Sequence, residues 1–423
     1  MSPSLNVVVA PDSFKGSATA AEVARAIAGG WSEVRPGDTV VERPMADGGE
    51  GTIDAFAAAE PRAVRVPVTV TGPDDHPVTA EWLWIPGPEV DADEPVDEIG
   101  AALTRGRSGG TGVVELANTS GITLLDGLRP LDAHTIGFGQ AIAAALDHGV
   151  EKLLLAIGGS SSTDGGAGAL TALGARFLTA EGEPVAPGGR GLADVASVDF
   201  TLLRRPPVGG AIVVPDVTNG LLGSAGAAAV FGPQKGASPA EVGELDAALA
   251  SFASIVGTLP TDSPAAAAIV VSSGIGSEAS GDEASHRGRS FAQIEGAGAA
   301  GGTGFGLLIW GASIRPGAAA VGEALGLAAD IEAADVVITG EGTFDFQSAA
   351  GKVPSYVLGL AHRFETFPLL VAGSIGASPD EFAASVSLTE LAGSTAAAIE
   401  NPLPFLWAAG RALANGSART PPQ

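Results

Sequence analysis

The chain has 423 residues, too many for one ordinary hydrophobic core, so two or three domains are expected. Hydrophobic residues make up 45% and charged residues 17%, which describes a globular chain with large cores, and 61 glycines with 29 prolines imply many tight loops. The net charge of −26 argues against nucleic acid or an anionic membrane as partner, and the absence of cysteine excludes disulfides and thiolate metal sites.

The start MSPSLNVVVAPD has no basic n-region and runs straight into the apolar Asn6–Ala10, so it reads as a strand and not a signal peptide. A short continuous apolar run of this kind suits a strand covered on both faces. Pro11-Asp12-Ser13-Phe14-Lys15-Gly16-Ser17 follows. Then comes a helix with a capping box, Thr19 and Glu22, and a Val23, Ile27, Trp31 stripe. A second strand-loop-helix unit spans Thr39–Glu42, the loop Pro44–Thr52, and a helix to about Ala59.

The grammar changes next. Val64, Val66, Val68 and Val70 alternate, a turn cluster fills Gly72–Pro77, and Thr79–Ile85 is again a strand, which predicts an antiparallel hairpin and a boundary near residue 62. Residues 86–110 read as an exposed excursion. Val113–Ala117 is a strand, Ala133–Asp147 a helix and Leu153–Ile157 a strand. The glycine- and hydroxyl-rich Gly158–Gly168 and an expected helix Ala169–Leu178 follow. After the strand Ala211–Val214 comes the clearest helix of the chain: Ser238 caps it, Pro239 opens it and Glu241 completes the box. Residues 261–290 read as a mobile insertion, and Gly296–Gly306 as a glycine-dense hinge or anion loop. The βα grammar then returns in Asp335–Thr339 and Pro368–Ala372, and a last helix is expected over Thr395–Leu413. The economical reading is a discontinuous α/β domain, 1–62 with 296–423, into which 63–295 is inserted. No apolar run approaches the roughly 18 residues of a membrane span, so a cytoplasmic protein is expected.

Ligands of open α/β sheets bind at the carboxyl ends of the strands. Asp12 with Lys15, Asp47, Asp164, Asp216, Glu341 and Asp345 all follow predicted strands there. A lone acid of this kind usually caps a helix or satisfies loop N–H groups. Six acid-bearing loops, most of them glycine-rich, point instead to metal-assisted phosphate chemistry, because oxygen ligands suit Mg²⁺. Lysine occurs only at 15, 152, 235 and 352, and Lys15, Lys235 and Lys352 lie beside glycine in such loops. No G-x-x-x-x-G-K-[ST] is present, since Gly351-Lys352 runs into Val353, so a P-loop is excluded. Gly296–Gly301 fits G-x-G-x-x-G, but Phe291–Glu295 is a poor strand to precede a dinucleotide fingerprint. The five histidines show no metal spacing.

APDSFKGS (Ala10–Ser17), PMADGGEGT (Pro44–Thr52), TIGFGQ (Thr135–Gln140), GGSSSTDGGAGAL (Gly158–Leu170), FGPQKGA (Phe231–Ala237), GAGAAGGTGFG (Gly296–Gly306) and ITGEG…DFQS…GK (Ile338–Lys352) occur in order along the chain. Together they resemble the bacterial two-domain glycerate kinase family without a P-loop. That resemblance implies a flavodoxin-like, doubly wound terminal domain, an inserted mixed α/β domain of restriction-enzyme-like form, and a site in the cleft between them. It implies ATP-dependent phosphorylation of D-glycerate at the 2-hydroxyl with Mg²⁺. Thr343 stands where the family usually has arginine, and Gly220 where it has proline.

On this reading Lys15 cradles phosphate oxygens, together with Ser13, Ser17, Gly48, Gly49, Gly159, Ser160, Ser161, Gly165 and Gly166. Mg²⁺ is held by carboxylates from Asp47, Asp164 and Asp216. Asp164 is the expected proton acceptor, and Lys15, Asp47 and Asp345 share the catalytic work. Asp12, Asn219, Glu341 and Gln347 join the substrate and nucleotide contacts, and Lys235 or Lys352 meets glycerate's carboxylate. The competing readings are a kinase for a related small hydroxy acid, a non-catalytic anion-binding homologue, and a redox enzyme using the Gly296 loop. No nucleic acid or membrane partner is expected, and a homodimer stays open.

Overall fold

The computed structural model of the chain describes residues 3–87, 109–257, 291–345 and 352–417. The excursion expected at 86–110 lies, apart from its ends, outside the described residues, as do 261–290 and Gln347. In chain order the strands are β1 (Asn6–Pro11), β2 (Thr39–Glu42), β3 (Val64–Thr71), β4 (Pro77–Ile85), β5 (Thr111–Glu115), β6 (Lys152–Ala156), β7 (Arg176–Leu178), β8 (Ser197–Asp199), β9 (Ala211–Val214), β10 (Ser313–Ile314), β11 (Val336–Phe344), β12 (Phe367–Ile375) and β13 (Ala384–Ser387). They fall into two compact units, Met1–Pro61 with Pro316–Gln423, and Arg62–Arg315.

The terminal unit holds one five-stranded sheet in the order β13-β12-β11-β1-β2, parallel throughout. Counted within the sheet this is 2-1-3-4-5, the doubly wound order whose switch point falls between the first and third strands, here β1 and β11. On one face Val7, Val9, Val336, Ile338, Leu369 and Val371 pack with Ile27 and Trp31 of the helix Ala20–Val34 and Leu406 of the helix Pro402–Ser417. The helix Val353–Phe364 lies on the other face, where Leu358 meets Leu370. Covering both faces is what the continuous apolar strands require. The Thr19/Glu22 capping box opens the first helix as expected.

The central unit has a mixed six-stranded sheet, β10-β9-β6-β5-β4-β3. The β3–β4 hairpin and the β4–β5 pair are antiparallel, and the remaining neighbours run parallel. Its core gathers Phe138, Leu155, Val213, Phe252, Phe305 and Trp310. The Ser238/Glu241 box caps the helix Pro239–Gly257, each residue's side chain accepting from the other's backbone N–H.

Three stretches differ from their sequence expectation. Residues 296–315 pack in the central unit, because the helix Ala299–Trp310 is buried among that unit's aromatic residues. The helix expected over Ala169–Leu178 covers only Ala167–Ala172. Gly174 then turns the chain at φ 106°, and Arg176–Leu178 leave as β7 to pair with β8. The last helix is broken into Thr395–Glu400 and Pro402–Ser417. Asn401 precedes a proline, which disfavours the helical conformation at that residue.

Candidate active site

In the terminal unit the chain leaves the carboxyl ends of β1, β11 and β12 beside the switch point, and a cavity of about 260 Å³ opens there. Asp12, Ser13, Lys15, Ser17, Asp47, Glu341, Asp345 and Lys352 line it. The backbone explains the gathering. Asp12 is the residue after β1, and its N–H donates to Gly340 O of β11 at 2.8 Å, so register with β11 fixes its place. Glu341 lies within β11, which runs on to Phe344, and so stands on rigid sheet and not in a loop. Asp47 closes a turn in which its Oδ1 accepts from Gly49 N–H at 3.2 Å, with Gly48 at φ 93°. Ser17 folds back to donate to Phe14 O at 2.9 Å.

Acids and lysines are paired across the cavity. Lys15 Nζ stands 3.5 Å from Asp47 Oδ2, with 68% of the lysine side chain exposed, and Lys352 Nζ stands 3.7 Å from Glu341 Oε2. Each pair joins a lysine that reaches solvent to a largely buried carboxylate, 13% exposed for Asp47 and 7% for Glu341. Their use lies in the cations they hold at the rim. Asp12 is different. It is 6% exposed, and burial, reinforced by the negative charge of Asp47, pushes its carboxyl up to about 7 against the pull of Ser13 N–H and Lys15. Ser13 N–H donates to Asp12 Oδ1 at 2.6 Å. The cavity thus presents a buried carboxyl shifted toward neutrality beside two lysines.

The central unit treats its glycine-rich stretch in another way. Of Gly158–Gly168 only Gly159 is exposed. Asp164 is 0% exposed, and both of its oxygens are engaged. Oδ2 accepts from Thr135 N–H at 2.9 Å, Thr135 Oγ1 at 2.7 Å and Gly168 N–H at 3.2 Å; Oδ1 accepts from Gly166 N–H at 3.1 Å and faces Ser162 Oγ at 3.5 Å. That is the geometry of a loop anchor, at a residue for which the sequence reading expected a base or metal-ligand role. Gly165 and Gly166 are not a cradle either, because they meet the glycine-dense helix Ala299–Trp310. Gly165 N–H donates to Gly301 O at 3.1 Å, and a Cβ on Gly301, itself at φ 64°, would fall 2.0 Å from Ser162 O. Ser161 donates its hydroxyl to Ser120 O at 2.8 Å, and Asn219 closes its own turn onto Ala225 O at 2.9 Å.

What remains open in that unit is the lip of the stretch. Gly159, Ser160, Asp216 and Lys235 line a separate cavity of about 320 Å³. Of the three acids expected to hold a metal, Asp47 therefore belongs to the terminal cavity, Asp216 to the central one, and Asp164 to neither. Among the described residues no three ligating side chains converge as a ready-made metal cage. Mg²⁺ does not demand one, since it commonly takes one or two carboxylates and completes its shell with water and phosphate oxygens. The carboxylates of the terminal cavity supply that donor type.

The terminal cavity also contains residues that sequence reasoning did not single out: Ser374 near the end of β12, and Leu388, Thr389, Thr395, Ala398 and Ile399. Ser374 sits between Gly373 and Gly376 directly after the apolar run Pro368–Ala372, and that pattern could have pointed to it. The others carry no signal, because ordinary helical residues reach the cavity only through the path of the C-terminal segment.

A doubly wound parallel sheet with acids and lysines gathered at its switch point defines an α/β protein whose cavity lies where open sheets of this kind bind their ligands. The model of the glycerate kinase family matches residues 7–416, and the chain belongs to that family. It is 37% identical over 374 residues to the glycerate kinase of Halalkalibacterium halodurans, covering 88% of this chain and 86% of that one. It is 36% identical over 376 residues to the glycerate 2-kinase of Escherichia coli K12, with the same coverage of 88% and 86%. The crystal structure of a candidate glycerate kinase 2 from Salmonella typhimurium LT2 superposes with a TM-score of 0.75 at 34% identity and covers 99% of each chain. Among the described residues no helix is long and apolar enough to cross a membrane.

Proposed function

We propose that the protein transfers the γ-phosphoryl group of ATP to the 2-hydroxyl of D-glycerate, giving 2-phosphoglycerate, with Mg²⁺ as the accompanying ion. The observation that carries this reading is the terminal cavity itself, where Asp12, Asp47, Glu341, Lys15 and Lys352 meet at the ends of β1 and β11. The 2-position is favoured by the name of the Escherichia coli relative, a glycerate 2-kinase.

Phosphoryl transfer needs positioning and charge neutralisation more than covalent catalysis. Lys15 and Lys352 are the cations on the wall of this cavity that could meet phosphate oxygens, at 68% and 35% side-chain exposure. Asp47 and Glu341 would hold Mg²⁺, which when bound neutralises phosphate charge. Asp12 takes the role first given to Asp164. A buried carboxyl shifted to about 7 accepts the hydroxyl proton near the working pH, where general bases are most effective.

The test is ADP release with D-glycerate, ATP and Mg²⁺, followed by phosphorus and proton NMR of the product. Coupling of the phosphorus to the C2 proton is expected; coupling to the C3 protons would place the phosphate on the 3-hydroxyl. ADP release with another small hydroxy acid and none with D-glycerate would overturn the substrate.

A further inference from the structure

The terminal cavity is not chemically uniform. Its acids and lysines gather at the ends of β1 and β11, but a second stretch of its wall is built by Leu388 and Thr389, which directly follow β13, and by the helix Thr395–Glu400. Leu388 and Ala398 are buried there, and Ile399 is 56% exposed, so the stretch offers apolar surface to a ligand. The sheet order sets its distance from the charged end. From β1 through β11 and β12 to β13 is three strand spacings, about 14 Å at about 4.8 Å each. The terminal phosphate and the base of an extended nucleoside triphosphate stand comparably far apart.

Two threonines on this stretch give it a direction of hydrogen bonding. Thr389 donates its hydroxyl to Gly373 O at 2.9 Å, and its oxygen lies 3.4 Å from Thr395 Oγ1. A hydroxyl has one proton and two lone pairs. Thr389 has spent its proton on Gly373, so the proton between the threonines belongs to Thr395. Toward the cavity Thr395 then turns lone pairs, and it suits a ligand that brings an N–H.

We propose that this stretch holds the purine base of the nucleotide, and that Thr395 selects adenine by accepting from its 6-amino group. Leu388, Ala398 and Ile399 cover the base, whose faces are apolar. A 6-oxo purine brings an oxygen to the same place, and two acceptors facing each other leave both unpaired. The inference rests on the reading of the terminal cavity as the phosphoryl-transfer site, and it gives the C-terminal segment a part in the choice of nucleotide.

The test is calorimetric titration of the full-length protein, without glycerate, with Mg·ATP and with Mg·ITP, whose base carries a 6-oxo group in place of the 6-amino group. ATP is expected to bind about 10-fold more tightly, the worth of one correctly directed hydrogen bond. In Thr395→Val the acceptor is lost, and in Thr389→Val the Thr395 proton is freed to serve either base, so in both the ratio is expected to fall to about one. Thr395→Ser keeps the hydroxyl and is expected to keep the preference. A threonine that only supports the fold would move both affinities together and leave the ratio alone. Ile399→Ser removes apolar cover and is expected to weaken both nucleotides alike, about fivefold. A wild-type ratio near one, a ratio unchanged in folded Thr395→Val, or unchanged affinities in Ile399→Ser overturns the proposal. Should Thr389→Val fail to fold, the exposed Thr395→Val decides alone. Thr395-dependent preference for ATP without phosphoryl transfer to D-glycerate would sink the kinase reading and keep the base site. Turnover with D-glycerate beside a Thr395-independent ratio would do the reverse.

Discussion

Replacement of Asp12 by asparagine should stabilise the fold and abolish activity together. The carboxyl of Asp12 is raised from 3.8 to about 7, first by burial and then by the charge of Asp47. Between those values the unfolded chain has released the proton and the folded chain keeps it. Stability from this group therefore falls as pH rises through that window, and the full cost is present above pH 7. With these two values the cost is roughly 2 kcal/mol at pH 5 and about 4 kcal/mol at pH 8. Asparagine does not titrate, and its side-chain oxygen can still accept from Ser13 N–H. The variant's advantage over wild type should thus grow by roughly 2–3 kcal/mol between pH 5 and pH 8. Calorimetric unfolding in buffer free of Mg²⁺ and nucleotide reads this directly. For a unit of this size the increment corresponds to roughly 5–10 °C in Tm. Turnover should fall by about 10² to 10⁴, the range attributed to a lost general base. An advantage that does not change with pH, or wild-type turnover in the variant, refutes the argument.

Three further outcomes separate anchoring residues from reacting ones. Asp164→Asn should lower stability by about 3–5 kcal/mol, because an amide cannot satisfy every buried N–H and O–H now aimed at the carboxylate; a variant with unchanged Tm and lost turnover would restore Asp164 as a catalytic acid. Lys15→Met should leave Tm where it is, given how exposed the side chain is, while kcat/KM for ATP drops about 10- to 100-fold; unchanged kinetics would remove Lys15 from phosphate binding. Gly301→Ala should cost about 3 kcal/mol or more, since the new methyl would collide with Ser162 O at a residue already in the left-handed region; a variant that melts with the wild type would show that the two glycine-rich stretches do not depend on close contact.

Much of the terminal unit was legible in the sequence because its signals are local and act in one direction. The apolar runs at Asn6–Ala10, Asp335–Thr339 and Pro368–Ala372 leave no choice but strands covered on both faces, and β1, β11 and β12 follow. The loop after β1 carries Asp12 and Lys15, Glu341 lies in the carboxyl half of β11, and parallel register brings these residues to one end of the sheet. The helix breaks at Gly174 and Asn401-Pro402 were also written in residues whose preferences are known, but a smooth apolar pattern through them concealed the breaks. The lining from Leu388 to Ile399 was not legible, since its place depends on how the C-terminal segment packs over β12 and β13.

Glycine density misled for a reason that applies beyond this chain. A residue without Cβ lets a backbone approach either a ligand or another backbone, and the sequence looks the same in both cases. In Gly158–Gly168 the second use prevails: Gly165 and Gly166 are taken up by the helix Ala299–Trp310, itself dense in glycine, and Asp164 holds the loop in that contact. A partner stretch of equal glycine density elsewhere in the chain, here Gly296–Gly306, is the clue that the glycines pack against each other. What such a pairing leaves for a ligand is its rim. At the rim stands Ser160, accepting from the buried Lys235.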